Sequence, residues 1–488
     1  MYIIVSGFSI ISLIDTLTSL LIIPPIIASL SVIFIFAITR KAYNDERIAL
    51  IASFLIGVAS PHVFPTSHPM PGSIGDFLSV FSIFLFLLCI EKKKFFFFLL
   101  PTTFALIITH HLSTFFTIFP IAFILAVFEL IRKRTNKEEM KYWLVYLIIA
   151  IFFTLIFWLI YAKPFRDEVI GKEMPISSLP IAILLSFFAV YILIKLRRRC
   201  KYIYIPKYPR SKRLYLYLSL SLSFTLVIIL FASFFKVPGT TIEAKPYYFL
   251  PLAILISFSA LGFTWAEYSK YGLHIYLWAC ALAFSLILSI FTIPKVLIPY
   301  RHVQYIILPL SIFVGAGIVI FYEIWNFDNR KLKKIVAFLI PLIFIFSSVF
   351  LAYPPKEVMG GFEEGTNAKE IESVIWLREE IGEGTIASDH RLSSFCFGFA
   401  NMNATWDYAY YTLHGNLDEA KDELNNVKIP SGNKRIEYVL LSKEVKEGVA
   451  LVQWETAKPM SKVSIEKFEN EPFIKIYDNG DAEVYGVA

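Results

Sequence analysis

Apolar residues run almost without interruption from the start of the chain to residue 354, and residues 355–488 read as an ordinary water-soluble domain. That division fixes the solvent for each part. Inside a bilayer every backbone amide and carbonyl must find its partner within the chain, which leaves helices and little else. The composition agrees: charged residues make up 17% of the chain, against about 25% in a soluble protein. The expected fold is therefore mainly α, a polytopic helical membrane bundle over 22–354 with a small C-terminal α/β domain over 355–488. Residues 1–21 are expected to lie as an interfacial segment on the outer face. Met1–Ile14 lacks the basic start and small-residue cleavage site of a signal peptide.

The apolar runs predict about twelve spans, near 22–39, 48–62, 76–90, 95–110, 113–131, 142–162, 178–195, 214–235, 248–265, 272–293, 303–322 and 335–353. The loops between them alternate in charge. Arg40, Lys41 and Arg47, Lys92–Lys94, Arg132–Lys141, Lys195–Arg213, Lys270 and Arg330–Lys334 hold 25 of the 32 basic residues up to 354. The opposite loops hold the other seven. The basic set is expected on the cytoplasmic side, which puts the C-terminal domain outside. That domain carries 14 basic against 24 acidic residues. The run Lys195–Arg213 reads as an orientation signal meeting anionic headgroups, and no nucleic-acid partner is expected. Asp15 would cost about 2.5–3.5 kcal/mol in mid-bilayer, so an interfacial helix is the cheaper place for it. Cys89, Cys200, Cys280 and Cys396 form no CxxC pair, so neither a disulfide framework nor a zinc site is indicated.

Residues able to carry chemistry gather at the outer ends of the predicted helices. The stretch Ser60–Asp76 contains His62, His68 and Asp76, and its four prolines predict a stiff loop without regular helix. Asp76 stands where the next helix should begin. It reads either as an N-cap or first-turn acid favoured by the helix dipole, or as a carboxylate working with His68 on a metal ion or a hydroxyl-bearing substrate. His110 and His111 end the following helix, and as helical neighbours they would point to different faces. Tyr300-Arg301-His302 opens the eleventh span. There Arg301 either snorkels to headgroups or grips a phosphate bidentately.

In the soluble part, Asn367–Ile381 has helical periodicity and Thr385–Asp389 reads as a strand leading to a polar turn at His390-Arg391. A loop follows at Ala404–Tyr411, then a helix near Asn416–Asn425. Strands are predicted at Tyr438–Ser442, Ile474–Tyr477 and Ala482–Val487. Asn403-Ala-Thr405 is a glycosylation sequon, compatible with an exterior address.

The succession from Ile23-Pro-Pro to Thr39-Arg-Lys, then Ile48–Pro61 and an acid-bearing loop, resembles the C-type membrane glycosyltransferases, and within them the archaeal oligosaccharyltransferase catalytic subunits. Tyr300-Arg301 followed by Leu308-Pro309-Leu310 resembles their late outer-face arginine, and Glu372–Asp389 resembles the start of their exported domain. Relative to that family the chain is expected to begin after the first span and first outer loop. Of the paired acids in the family's second loop only Asp76 is present. Ser388-Asp389-His390-Arg391 stands in place of the family's Trp-Trp-Asp-Tyr-Gly sequence, and Trp406-Asp407-Tyr408-Ala409 lies further on. The resemblance implies transfer of a sugar from a polyprenyl-phosphate carrier to an acceptor, which the sequence leaves unidentified, on the outer face of the lipid bilayer. Asp76 would serve as base or ligand of a divalent cation, Mn or Mg, and Arg301 as phosphate clamp. His68, His110 and His111 would orient the substrate. Two further readings stand beside it: a noncatalytic lipid-glycan-binding or accessory protein on the same scaffold, and a transporter, which the absence of paired broken spans disfavours.

Overall fold

The computed structural model describes residues 1–131, 137–162, 250–266, 269, 271–291, 299–324, a few positions between 335 and 348, 366–429, 432–448 and 458–488. The chain separates near Tyr353-Pro354 into a membrane unit and a C-terminal unit.

The described part of the membrane unit is helical throughout: α1 (Tyr2–Ser12), α2 (Thr16–Ser29), α3 (Ser31–Tyr43), α4 (Glu46–Val58), α5 (Ser60–Ser67), α6 (Pro71–Glu91), α7 (Phe96–Thr109), α8 (His111–Ile131), α9 (Lys137–Ile156), α10 (Leu250–Ala266), α11 (Gly272–Phe291) and α12 (Pro299–Ile324). Among the described residues five helices are long and apolar enough to cross a membrane, with a sixth if α4 and α5 form one bent span. These are the helices of a membrane protein. Of the twelve expected segments, 178–195 and 214–235 lie outside the described residues, as does the basic run Lys195–Arg213, and 335–353 is described only at scattered positions. The helix α7, of 14 residues, falls short of a perpendicular crossing.

Two expectations need correction. Residues 1–21 do not form one interfacial segment, because the first long apolar helix already begins at Thr16 and continues across the turn at Leu30 to Tyr43. Asp15 is the N-cap of that helix. Its carboxylate accepts the Thr18 amide at 2.9 Å, satisfying one of the donors a helix start leaves open. The proline-rich stretch is not an irregular loop either. Pro61 falls in the first turn of α5, where its missing N–H costs nothing, and only Pro65 sits in the helix interior. The axes of α4 and α5 meet at 58°, the geometry of a broken span or a re-entrant segment. At this bend His62 Nε2 lies 2.9 Å from the Ser31 hydroxyl, tying α5 to α3.

Packing within the unit rests on aromatic side chains and on close helix approach. Phe86, Phe116, Phe313 and Tyr146 are fully buried, and Tyr146 hydrogen-bonds Thr103 at 2.9 Å. The tightest contact is between α10 and α12. A Cβ added at Gly262 would lie 1.8 Å from the Phe313 carbonyl oxygen, and one at Gly317 would lie 1.9 Å from that of Phe258. Backbones this close leave no room for a methyl group, which is how membrane helices gain contact where no water drives them together.

The C-terminal unit is an α/β domain. Its main sheet has the order β2 (Asn403–Ala404), β1 (Thr385–Ala387), β5 (Tyr438–Ser442), β7 (Ala482–Val487), β6 (Phe473–Asp478). Pairing is parallel among β2, β1 and β5, and antiparallel among β5, β7 and β6. The strands β3 (Val427–Ile429) and β4 (Gly432–Lys434) form a separate antiparallel pair. Alternation along β5 sends Val439 and Leu441 into one apolar cluster and Leu440 into another, so both faces are covered. The polar turn expected at His390-Arg391 is instead the start of a helix, His390–Phe399, and the expected loop at Ala404–Tyr411 contains a 3-10 turn, Trp406–Tyr408, before a short helix, Tyr410–His414. Asp389 caps the first of these by accepting the Arg391 and Leu392 amides. Lys467 closes the second: its buried ammonium donates to the carbonyls of Tyr411, Leu413 and Gly415 at 2.7–3.2 Å. Burial pushes the Lys467 ammonium down to about 8, against the opposing charges of Glu423 and Glu419.

Gly262→Ala or Gly317→Ala should each destabilise the membrane unit by about 1–3 kcal/mol through overpacking. Gly57→Ala, where the added methyl would meet only Val32 Cγ2 at 4.0 Å, should be neutral. Thermal midpoints of the full chain in detergent would show it, and equal midpoints for all three variants would contradict the packing.

Candidate functional site

Asp76 is not a first-turn acid. The N-cap of α6 is Met70, Pro71 opens the helix, and Asp76 lies a turn further in, 1% exposed. A carboxylate buried in a helical bundle must take its hydrogen bonds from other side chains. Here they come from α8 and α12. Gln304 donates through Nε2 to Oδ2, and the Ser113 hydroxyl stands 3.5 Å from Oδ1. The Tyr305 hydroxyl is 2.7 Å from Ser113 Oγ.

Gly75 makes this approach sterically open. A Cβ there would sit 2.5 Å from Ser113 Oγ and 2.8 Å from His110 Cβ. His110 is not helical. It is the extended residue between α7 and α8, and its Nδ1 accepts the Ser113 amide at 3.3 Å, capping α8 from its own N-terminus. The same Nδ1 lies 2.7 Å from Ser113 Oγ, so a chain of hydrogen bonds runs from Tyr305 through Ser113 to His110. The His111 ring centre is 5.2 Å from that of His110. The half-buried Arg301 guanidinium, one turn before Gln304 and Tyr305 on α12, is close enough to act electrostatically on Asp76, His110, His111 and Tyr305.

Four residues singled out from the sequence, Asp76, His110, His111 and Arg301, thus come from three separate elements into one cluster. His68 does not join them. It is the C-cap of α5, its Nδ1 lies 2.6 Å from the Phe64 carbonyl, and its ring packs on Phe64. The expected pairing of His68 with Asp76 is therefore corrected: the imidazole closes its own helix. Sequence reasoning missed Ser113, Gln304 and Tyr305. The signal for the last two was their spacing of three and four from Arg301, which places all three on one helix face. His302 takes another face and hydrogen-bonds Ser285 at 2.9 Å.

The donor set does not suit a divalent cation. Mg²⁺ or Mn²⁺ needs several oxygen ligands, whereas Asp76 is alone and hydrogen-bonded at both oxygens. Among the described residues no group of three His, Cys, Asp or Glu side chains converges.

In the C-terminal unit Ser388–Arg391 forms a different arrangement. Arg391 Nη2 meets Glu370 Oε1 at 2.8 Å and its Nε meets Asp389 Oδ1 at 3.1 Å, with all three side chains buried. This ion triad joins the helix Ala368–Trp376 to the start of the helix His390–Phe399. The residues thus have a structural role that their polarity alone did not reveal.

No protein-family model and no curated protein matches the chain.

Two outcomes follow. Gln304→Leu should lower stability by about 1–3 kcal/mol by leaving the Asp76 carboxylate short of a donor, and Asp76→Leu in addition should recover part of that loss, a positive coupling measurable as thermal midpoints of the full chain. Arg391→Met should cost about 3–5 kcal/mol, since two buried carboxylates then lack their cation. A midpoint unchanged by Arg391→Met would refute the triad's structural role.

Proposed function

We propose that the protein is a membrane glycosyltransferase-like protein that takes a polyprenyl-phosphate-linked sugar at the Asp76 cluster and passes the sugar to an acceptor on the outer face. The observation that carries this reading is the convergence of Asp76, Ser113, His110, His111, Arg301, Gln304 and Tyr305 at the ends of α6, α8 and α12. A phosphate ester asks for a guanidinium, and a sugar asks for carboxylate, amide, hydroxyl and imidazole groups fixed in place. Arg301 would hold the phosphate and act electrostatically on the charge that develops as the sugar leaves. Asp76 would accept the proton of the incoming hydroxyl or amide, with Gln304 and Ser113 holding the carboxylate in orientation. His110 and His111 would line the sugar side. The charge alternation of the loops is the support for placing this cluster and the acidic C-terminal domain on one, outer, side.

A second reading, a noncatalytic lipid-glycan-binding protein, is favoured by one observation. Both Asp76 oxygens are already engaged by protein donors, and among the described residues no group of three His, Cys, Asp or Glu side chains converges.

Purified protein in nanodiscs, given a labelled polyprenyl-phosphate sugar, separates the readings. Transfer to an acceptor that falls at least about 100-fold in Asp76→Asn, with binding weakened about tenfold in Arg301→Gln, would support the enzyme. Tight binding with no transfer, unchanged in Asp76→Asn, would favour the binding protein. Absence of binding across several carriers would end both.

A further inference from the structure

The turn between α6 and α7 carries three consecutive exposed lysines, Lys92, Lys93 and Lys94. The acid before them, Glu91, is held by Lys41 at 2.5 Å, and among the described residues the triplet forms a cationic patch. The patch does not face water alone. Lys93 and Lys94 lie on a 3-10 turn that feeds directly into α7, and α7 opens on a phenylalanine run in which Phe97 is 79% and Phe98 53% exposed.

The exposed apolar face continues along α7. Phe97, Phe104 and Ile108 are spaced by seven and four residues, one side of a helix, and all three are exposed. Helix α9 packs alongside, with Phe104 and Phe153 in edge-to-face contact at 5.6 Å, and it exposes Leu144, Ile148 and Phe152. At the lysine end the two helices are bridged: Lys93 Nζ lies 4.4 Å from the centre of the Tyr142 ring. A cationic cluster therefore sits at one end of an apolar helix pair, an arrangement with two chemistries and one direction.

We propose that this is a binding site for one anionic phospholipid. Its phosphate and headgroup rest on Lys92–Lys94 beside Tyr142, and an acyl chain runs along the apolar faces of α7 and α9 by Phe97, Phe104 and Ile148. Charge selects the occupant. A zwitterionic lipid brings its own ammonium group to three ammonium groups, whereas an anionic headgroup brings net negative charge. The exposed phenylalanines select a lipid over a free phosphate, since they need hydrocarbon rather than water.

The test uses the full chain in nanodiscs of phosphatidylcholine with a minority of phosphatidylglycerol. Native mass spectrometry counts the lipids retained, and a photoreactive phosphatidylglycerol reports where they sit. The expected result is roughly tenfold enrichment of phosphatidylglycerol over phosphatidylcholine, with cross-links in 92–108 and 142–153. Lys92→Gln/Lys93→Gln/Lys94→Gln should abolish both the enrichment and those cross-links, and the corresponding arginine triple variant should keep them. If the glutamine triple variant does not fold, single glutamine variants should each reduce enrichment roughly two- to threefold. Cross-links elsewhere, equal retention of both lipids, or enrichment that survives loss of the lysines would each overturn the proposal.

Discussion

A carboxylate in the interior of a lipid-facing helical bundle has no water to solvate it, and the arrangement around Asp76 follows from that constraint. The hydrogen bonds it needs come from Gln304 and Ser113, side chains of two other helices. Those helices must in turn be held at fixed height and rotation against α6. One buried carboxyl group therefore sets the register of α6, α8 and α12 together, and each partner left without its donor or acceptor would carry a desolvation cost.

Close approach is the second requirement, and glycine supplies it at separate places. Gly75 admits His110 and Ser113 to the face of α6, and Gly262 and Gly317 let α10 and α12 meet backbone to backbone. Packing at this density makes the cluster a property of the bundle rather than of any one helix. His110 shows the same economy: its Nδ1 caps α8 while taking part in the chain of hydrogen bonds that leads toward Asp76. The C-terminal unit solves burial differently, with a sheet covered on both faces. There the ion triad of Arg391, Glu370 and Asp389 and the buried Lys467 take polar groups to places where backbone carbonyls and carboxylates satisfy them.

Much of the architecture was legible in the residues. The break between an apolar and a soluble part near residue 354, the strands at Tyr438–Ser442 and Ala482–Val487, and the helix near Asn416–Asn425 follow directly from hydropathy and period. The stiff loop predicted over 60–76 is confined to 68–70, because Pro61 and Pro71 fall in first turns, where proline does not oppose a helix, and α5 tolerates Pro65 in its interior. His390 and Arg391 were read as a turn because their polarity hid a helix start capped by Asp389. His68 carried the right chemistry for a partner of Asp76, but local geometry turned its ring to Phe64.

Hydrophobicity and charge are one-dimensional quantities, so the chain by itself determined which stretches form apolar helices, where the C-terminal domain begins, and which polar residues are costly enough to need an explanation. Partnership across helices is not written along the chain. Asp76 and Gln304 are 228 residues apart, and nothing between them records that their side chains meet. Only the tertiary structure decided that, because rotation and height of a packed helix depend on volumes and close contacts summed over all its neighbours.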